Sequence, residues 1–584
     1  MQDVFDDLHA KACRDYKFNN LMQIIQSEEN ILLAYRNIKN NQGSTTSGTD
    51  KLDITHYKEW NEGKFVTYFQ NKLQNYHPKS VRRVEIPKPN GKLRPLGIPC
   101  MDDRIIQQCI KQVLEPICEA KFHKHSYGFR PNRATTHAIA RSNFLLYKSE
   151  LHYVVDIDIK GFFDNVNHAK LKKQMWNLGI QDKNLISIIG KILKSEIQGI
   201  GIPTKGTPQG GIISPLLSNI ALNELDWWLS DQWETFETKH YYNKSGNKFR
   251  ALKETELKEF FFVRYADDFK IFCRDYATAK KMFNATKQWL KERLGLDISP
   301  EKSKITNVRK NKTEFLGFAL KVGKKRNKYV SQSNMTNKAK QSVIKELKKQ
   351  IIAIKKSGSF EQVNRLNAMI LGNHNYYKTA TRVNLDFADI NFIVTKSLDG
   401  RLKQHITHKP IKSKTYQRLY GEYNGKVRTI YGVTLFPIYG IKNRPPMNFN
   451  QEINNYTEKG RSLIHDELVS VNRLIEQLLM CKQYDQSVEY NDNRISLIAG
   501  QRGKCYVTEK HLKMNYMECH HKIPKSKGGT DEYKNLVWLC EKAHKLVHCT
   551  LPETIERYLK ELNLDVKGLK RVNSLRKLVG NLEI

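Results

Sequence analysis

Two rhythms divide the chain: short stretches in which apolar and polar residues alternate, and longer ones in which apolar residues recur every three to four positions. Residues 1 to about 40 carry the helical rhythm and run into NNQGSTTSGTD, a Gly/Ser/Thr-rich loop. From Val81 to about Gly323, strand-type runs alternate with helical ones, which predicts an α+β domain. Between DWWLSDQW and EFFFVRYADDF, roughly residues 231–257, the chain turns polar and reads as an inserted loop. From about 333 to 400 the period is helical and the residues very basic (NKAKQSVIKELKKQIIAIKK). Residues 400–460 are mixed, with a break at Pro445-Pro446. The run LIHDELVSVNRLIEQLLMCK predicts a helix leading to a Cys- and His-rich region from about 495.

Within the alternating part, YVVDIDIKGFFDNVNH begins as a strand with Val154, Asp156 and Asp158 on one face and Val155, Ile157 and Ile159 on the other. Further on, RYADDFKIFC sets Asp267 and Asp268 side by side between aromatic and β-branched runs. Such a pair is either a solvated hairpin turn or two charges held near something positive. If Asp158 lies beside this hairpin, the carboxylates can share divalent cations. Two such ions would clamp the attacking and leaving oxygens of a phosphoryl transfer. Lys88 and Arg94 flank Asn-Gly, a two-residue hairpin signal, so both cations either project from one β-ribbon toward a triphosphate or are solvated surface charge. In GTPQGG the glycines allow close backbone approach to a nucleotide or template and Gln209 offers a polar contact, although the same letters also make an ordinary turn.

Charge narrows the class. Lys and Arg number 98 against 60 Asp and Glu, a net +38 spread along the whole chain, so the expected partner is a polyanion. The 584 residues suffice for several domains. The charged N-terminus lacks a signal core and no run approaches the roughly 18 apolar residues of a membrane span, so a cytoplasmic location without membrane contact is expected. Ten mostly scattered cysteines do not outline a disulfide framework.

The C-terminal ECHHKIPKSKGGTDEYKNLVWLCEKAHKLVH holds His520, His521, Asn535, His544 and His548. The last two are four apart, which on a helix puts both imidazoles on one side, as metal ligands require.

Taken in order, these blocks carry a resemblance. VRRVEIPKPNGKLRPLGIPCMDDRIIQQCI, HSYGFRPNRATTHA, YVVDIDIKGFFDNVNH, GTPQGGIISPLLSNIALNELD, RYADDF, GLDISPEKSKI and TEFLGFAL, over about residues 30–325, resemble the reverse transcriptase of group II intron-encoded proteins, the maturases. The C-terminal block resembles an HNH nuclease. The resemblance implies an α+β multidomain fold: an N-terminal extension and start of the fingers (1–80), a right-hand fingers and palm (81–325), a helical thumb called domain X (326–400), a DNA-binding or linker region (401–494), and a ββα-metal HNH domain with a tail (495–584). By the same resemblance Asp158, Asp267 and Asp268 are catalytic. Asp158 and Asp267 hold two Mg²⁺ ions, while Lys88, Arg94, Phe163 and Gln209 bind the nucleotide. Phe163 would crowd the sugar 2′ position and favour deoxynucleotides; a core phenylalanine is the alternative. In the thumb, Asn373, His374, Tyr376 and Tyr377 beside the lysines would meet RNA. In the nuclease, His520, His544 and His548 would hold one divalent ion, Mg²⁺ or another, His521 would be the general base, and Asn535 would orient the loop or the base.

One departure is visible. Family members brace the motif with two C-x2-C pairs around zinc; here the pairs read Cys505 with Thr508 and Cys540 with Ala543. Two thiolates do not close a zinc site, so apolar packing is expected to hold the fold; Cys519 and Cys549 are the substitute ligands at hand, but no spacing rule favours them. The implied partners are group II intron RNA, target DNA and dNTPs, in a bacterial or organellar host. The implied job is splicing assistance and retrohoming primed by the nuclease nick. Two other readings are an RNA-binding splicing maturase with an inactive polymerase and a group II-like reverse transcriptase of antiviral defence.

Overall fold

The computed structural model describes residues 1–87, 93–464, 474–475, 477–479, 481 and 485–584. Most of the helix expected at LIHDELVSVNRLIEQLLMCK lies outside the described residues, as does Lys88. The chain forms two compact units interleaved in sequence. One comprises Met1–Lys121, His168–Leu217 and Glu452–Ile584, the other Phe122–Asn167 and Ser218–Gln451. The segment expected as fingers and palm, 81–325, is thus shared between them. No helix among the described residues is long and apolar enough to cross a membrane.

In the first unit, helices Gln2–Cys13 and Glu28–Lys39 occupy the predicted N-terminal helical stretch and pack on the long helix Met101–Glu119. That helix starts with Asp102 and Asp103, acids that favour the positive end of its dipole. Buried Asp102 accepts hydrogen bonds from Tyr57, Tyr68 (3.0 Å) and Lys72. Strands β1 (Arg82–Pro87) and β2 (Leu93–Ile98) make an antiparallel ribbon with Pro87 opposite Leu93. Arg94 faces Ile86 across the ribbon, and the expected Asn90-Gly91 turn lies outside the described residues.

The second unit is built on a four-stranded antiparallel sheet of β3 (Tyr153–Asp158), β4 (Phe260–Tyr265), β5 (Asp268–Cys273) and β6 (Lys304–Asn307), in the order β4-β5-β3-β6. Its strands form where aromatic and β-branched residues cluster, and Phe262, Val263, Phe269, Ile271, Val154 and Val155 are buried. A second sheet stacks β7 (Thr313–Phe315), β8 (Phe318–Lys325) and β9 (Lys328–Met335) in chain order. Residues 231–257, expected as an inserted loop, are partly helical: helix Ser245–Lys253 forms there, Trp233 is fully buried, and Phe249 packs edge-on against Phe261 of β4. Hydrophobic anchors too sparse to show a period hold this polar stretch down.

Three helices follow, Asn337–Ser357, Phe360–Tyr377 and Val383–Leu402. The first is capped by Thr336, whose hydroxyl accepts from Ala339 N at 3.2 Å, and stops at Gly358, where φ is +59°. The expectation that the LGNHNYY aromatics meet RNA is corrected for His374. It is buried, paired with Tyr420 Oη (2.8 Å) and with the Ile438 carbonyl (3.0 Å), and burial pulls its pKa to about 4. Tyr376 donates to the Leu316 carbonyl at 3.0 Å and stacks on Phe318, so it joins helix to sheet.

Candidate active sites

The sheet of the second unit brings the predicted carboxylates together. β4 and β5 join through Ala266 and Asp267, with Tyr265 opposite Asp268, and on the other side of β5 Asp158 stands opposite Asp268. Ala266 has a φ of +58°, a left-handed conformation costing an L-residue about 1–2 kcal/mol. Its neighbours hold it there. Buried Arg264 donates to the Ala266 carbonyl (2.8 Å) and Asn219 Oδ1 (3.0 Å), and forks onto Asp226 at 2.7 and 2.6 Å. Asn219 in turn donates to the Gly128 carbonyl at 2.9 Å. A Cβ on Gly128 would sit 2.2 Å from Ala266 N, so only glycine lets the YGFR segment lie against the hairpin.

Asp156, predicted on the same face as Asp158, is engaged differently. It is buried, ion-paired with Lys270, and accepts from Thr313 Oγ1 at 2.9 and 3.0 Å. That leaves Asp158, Asp267 and Asp268 as the acids at the hairpin. Asp158 is met by Lys302 Nζ at 3.1 and 3.2 Å. Burial lifts the Asp268 carboxyl to about 6; Lys270 opposes the rise, and Asp156, Asp267 and Asp158 add to it. Three carboxylates crowded at one hairpin form a donor set that suits hard divalent cations. Phe163 is partly exposed beside buried Phe162 and edge-on to Phe129.

In the other unit, Arg94 and Gln209 meet: Arg94 Nε donates to Gln209 Oε1 at 3.2 Å, and Gly97 N donates to the Gln209 carbonyl at 2.6 Å. Gly210, with φ +112°, lies so close that a Cβ would touch the Gly97 carbonyl at 2.2 Å. The GTPQGG loop is therefore clasped to β2.

The same unit holds the histidines on a ββα element: strands Met517–His521 and Leu536–Cys540 pair antiparallel, and helix Glu541–His548 follows. Alternation and the four-residue helical step converge His520, His544 and His548 until their ligating atoms all lie within 4.8 Å. Burial, then the neighbouring imidazoles, lowers His520 to about 3 and His544 to about 4, so both are neutral near pH 7. His520 Nε2 is buried without a hydrogen-bond partner. Three neutral imidazoles with an orphaned nitrogen fit a divalent ion.

His521 points elsewhere. Its Nε2 lies 2.7 Å from Asp531 Oδ1 and its ring stacks on Tyr490 at 5.5 Å. Asp531 also accepts from Ser487 Oγ (2.6 Å) and pairs with Lys525 (3.1 Å). Burial pushes its carboxyl up, but these hydrogen bonds outweigh that and bring it to about 2. A carboxylate on Nε2 fixes the tautomer with the proton there and leaves Nδ1 as the basic nitrogen. Asp531 is a positioning residue the sequence reading passed over, although it closes the quoted GGTD; its partner Ser487 is 44 residues away. Asp531→Asn is expected to slow plasmid nicking on the order of 10- to 100-fold while primer extension stays at the wild-type rate. Equal nicking rates would remove this role.

Asn535 pins the loop. Its side chain donates to the Ile523 (3.0 Å) and Thr530 (2.8 Å) carbonyls and accepts from Ile523 N (2.9 Å). Cys505 and Cys540 meet, with Cys505 Sγ accepting from Cys540 N at 3.3 Å. The hydrogen bond with Cys540 favours the thiolate at Cys505. The remaining two positions are Thr508 and fully buried Ala543, inside an apolar cluster with Leu539, Leu546 and Val572. Cys549 donates to the Leu546 carbonyl at 3.5 Å, and Cys519 lies beside Tyr490. This donor set does not fit a four-coordinate zinc.

Comparison with known proteins agrees with this geometry. Residues 86–320 match the family described as reverse transcriptase (RNA-dependent DNA polymerase), and residues 507–549 match HNH endonuclease. Protein YkfC of Escherichia coli (strain K12) is 32% identical over 328 residues, 54% of this chain and 85% of that protein. The group II intron-encoded protein LtrA of Lactococcus lactis subsp. cremoris is 32% identical over 361 residues, 53% of this chain and 57% of LtrA. The putative COX1/OXI3 intron 1 protein of Saccharomyces cerevisiae is 29% identical over 342 residues, 52% of this chain and 40% of that protein. The chain thus spans about half the length of the intron proteins it matches. With carboxylates at a tight hairpin followed in one chain by a three-histidine ββα element, the chain belongs to the group II intron-encoded proteins that join a reverse transcriptase domain to a C-terminal HNH domain.

Proposed function

We propose that this protein copies RNA into DNA and nicks a DNA strand to supply the primer, assisting the splicing and mobility of a group II intron. The observation that carries the reading is one chain holding both sets of groups: Asp158 opposite Asp268 at the hairpin, and His521 held by Asp531 beside the three-histidine cluster. Intron RNA, target DNA and dNTPs are the partners this implies, and the net charge of +38 favours such polyanions. Asp158 and Asp267 would hold Mg²⁺ in the polymerase, and His520, His544 and His548 a divalent ion in the nuclease. When bound, such ions supply Lewis-acid stabilisation of charge on phosphate oxygens.

The chain's own residues do the rest. Lys302 compensates the charge of Asp158, and the polar side chains of Arg94 and Gln209, together with Lys88, would orient the nucleotide. Phe163 would crowd the sugar 2′ position. His521 Nδ1 takes the proton of the attacking water, while Asp531 holds the proton on Nε2 and steadies the imidazolium that forms. Cleavage on that side leaves a 3′ hydroxyl that the polymerase can extend. Residues 326–400 would serve as the thumb and 401–494 as the DNA-binding region.

The test separates the two activities. His521→Ala is expected to abolish nicking of target DNA, a loss on the order of 10²–10⁴-fold for a general base, while synthesis on a supplied primer continues unchanged. A retained nick would remove the base assignment; loss of both activities would mean that the two halves do not work independently.

A further inference from the structure

Arg309, Lys312, Lys321, Lys324 and Arg382 line a concavity of ≈ 550 Å³ formed by the β6–β7 connection, the β8–β9 hairpin and the residue preceding helix Val383–Leu402. No carboxylate lines it, and among the described residues none of the five is in an ion pair. The neighbouring hairpin tip adds Lys325, Arg326 and Lys328. Like charges gathered without counter-charge repel one another, and the cost is recovered only when an anion is bound. One of the cations is held in place. Arg309 Nε donates to His152 Nδ1 at 2.8 Å and its guanidinium lies 4.5 Å over the Tyr329 ring. This bond spends Nε alone and leaves the terminal nitrogens for a ligand.

The concavity is remote from the carboxylates. Tyr153, next to His152, begins β3 and Asp158 ends it. A strand rises about 3.3 Å per residue, so roughly 17 Å of sheet separates the two ends. A triphosphate at the hairpin carboxylates does not reach that far.

We propose that this face docks the phosphate backbone of double-helical RNA, as a contact separate from the polymerase substrate. Lysines spread along a hairpin match successive phosphates, and the hydroxyl of Tyr329 with the amide of Gln332 supplies partners for the 2′-hydroxyls that distinguish RNA from DNA in a shallow minor groove. The inference rests on the reading that the protein works on RNA, and deepens it by assigning a second RNA-binding surface.

The test uses full-length Lys312→Gln/Lys321→Gln/Lys324→Gln protein with a labelled RNA duplex and a DNA duplex of the same sequence. Both are measured with saturating unlabelled primer–template, so that the polymerase substrate site is filled. RNA affinity is expected to fall about tenfold or more, and the slope of log K against log salt to flatten by about one for each lysine. Primer extension at saturating primer–template should match wild type. Lys312→Gln alone, an exposed change, should flatten the slope by about one. Unchanged RNA affinity and slope would overturn the proposal. So would an equal loss on the DNA duplex, which marks a generic polyanion surface, or a parallel loss of primer extension, which marks a primer–template track. Wild-type protein that binds the RNA duplex but extends no primer would defeat the polymerase reading and leave this surface standing.

Discussion

Asp267→Ala should reduce primer extension at least about 10³-fold, which corresponds to about 4 kcal/mol of transition-state stabilisation, while leaving target nicking intact. Asp267 is one of two residues turning the β4–β5 hairpin, and Asp268 stands directly across from Asp158. A turn that merely needed polar residues would tolerate alanine, with a change of a few tenths of a kcal/mol. The hairpin here is not of that kind: Ala266 is held left-handed and Arg264 is committed to its carbonyl. Primer extension on an RNA template, with nicking as the internal control, reads the outcome. Wild-type synthesis by the variant would leave Asp267 without a role and would favour a maturase that only binds RNA.

Arg264→Met should cost about 3–5 kcal/mol of stability, because it strands Asp226 as an uncompensated buried charge. Both side chains are about 1% exposed, so water cannot take the place of the lost partner. The same arginine bonds Asn219 and the Ala266 carbonyl, so polymerase activity should fall with stability. The double variant Arg264→Met/Asp226→Leu discriminates. It should recover a substantial part of the loss, since replacing a whole buried pair by apolar side chains is often close to neutral. Thermal unfolding followed by circular dichroism measures both, and a double variant no more stable than the single one would mean that the hydrogen bonds to Asn219 and Ala266, not the charge, carry the effect.

How far the letters foretold these arrangements depends on the range of the interaction. Period-two alternation in YVVDIDIK placed Asp156 and Asp158 on one face, and chain order brought the second strand beside them. Alternation cannot say which acid is spent on a neighbour. Asp156 is occupied by Lys270, 114 residues away, and Asp158 meets Lys302, 144 residues away. The pairs Arg264–Asp226 and Asn219–Gly128 are invisible for the same reason, since each forms only after distant elements pack. The histidine triad was readable because two of its members share a helix at a four-residue step. Asp531 was not, because its meaning depends on a hydrogen bond to His521 across a loop. His374 looked available for RNA because LGNHNYY is polar and aromatic, and was lost to Tyr420 and Ile438 from the following region.

The helix Val488–Gly500 that leads into the ββα element is tied to the N-terminal helices: Arg36 and Lys39 pair with Asp492, and Val488 N donates to the Trp60 carbonyl at 2.9 Å. Anyone trimming this enzyme to a compact copying tool would therefore do better to cut beyond Gly500 than ahead of Val488. A cut ahead of Val488 would leave two cations stripped of their acid and a backbone acceptor at Trp60 open to solvent, trading a smaller gene for a stickier protein.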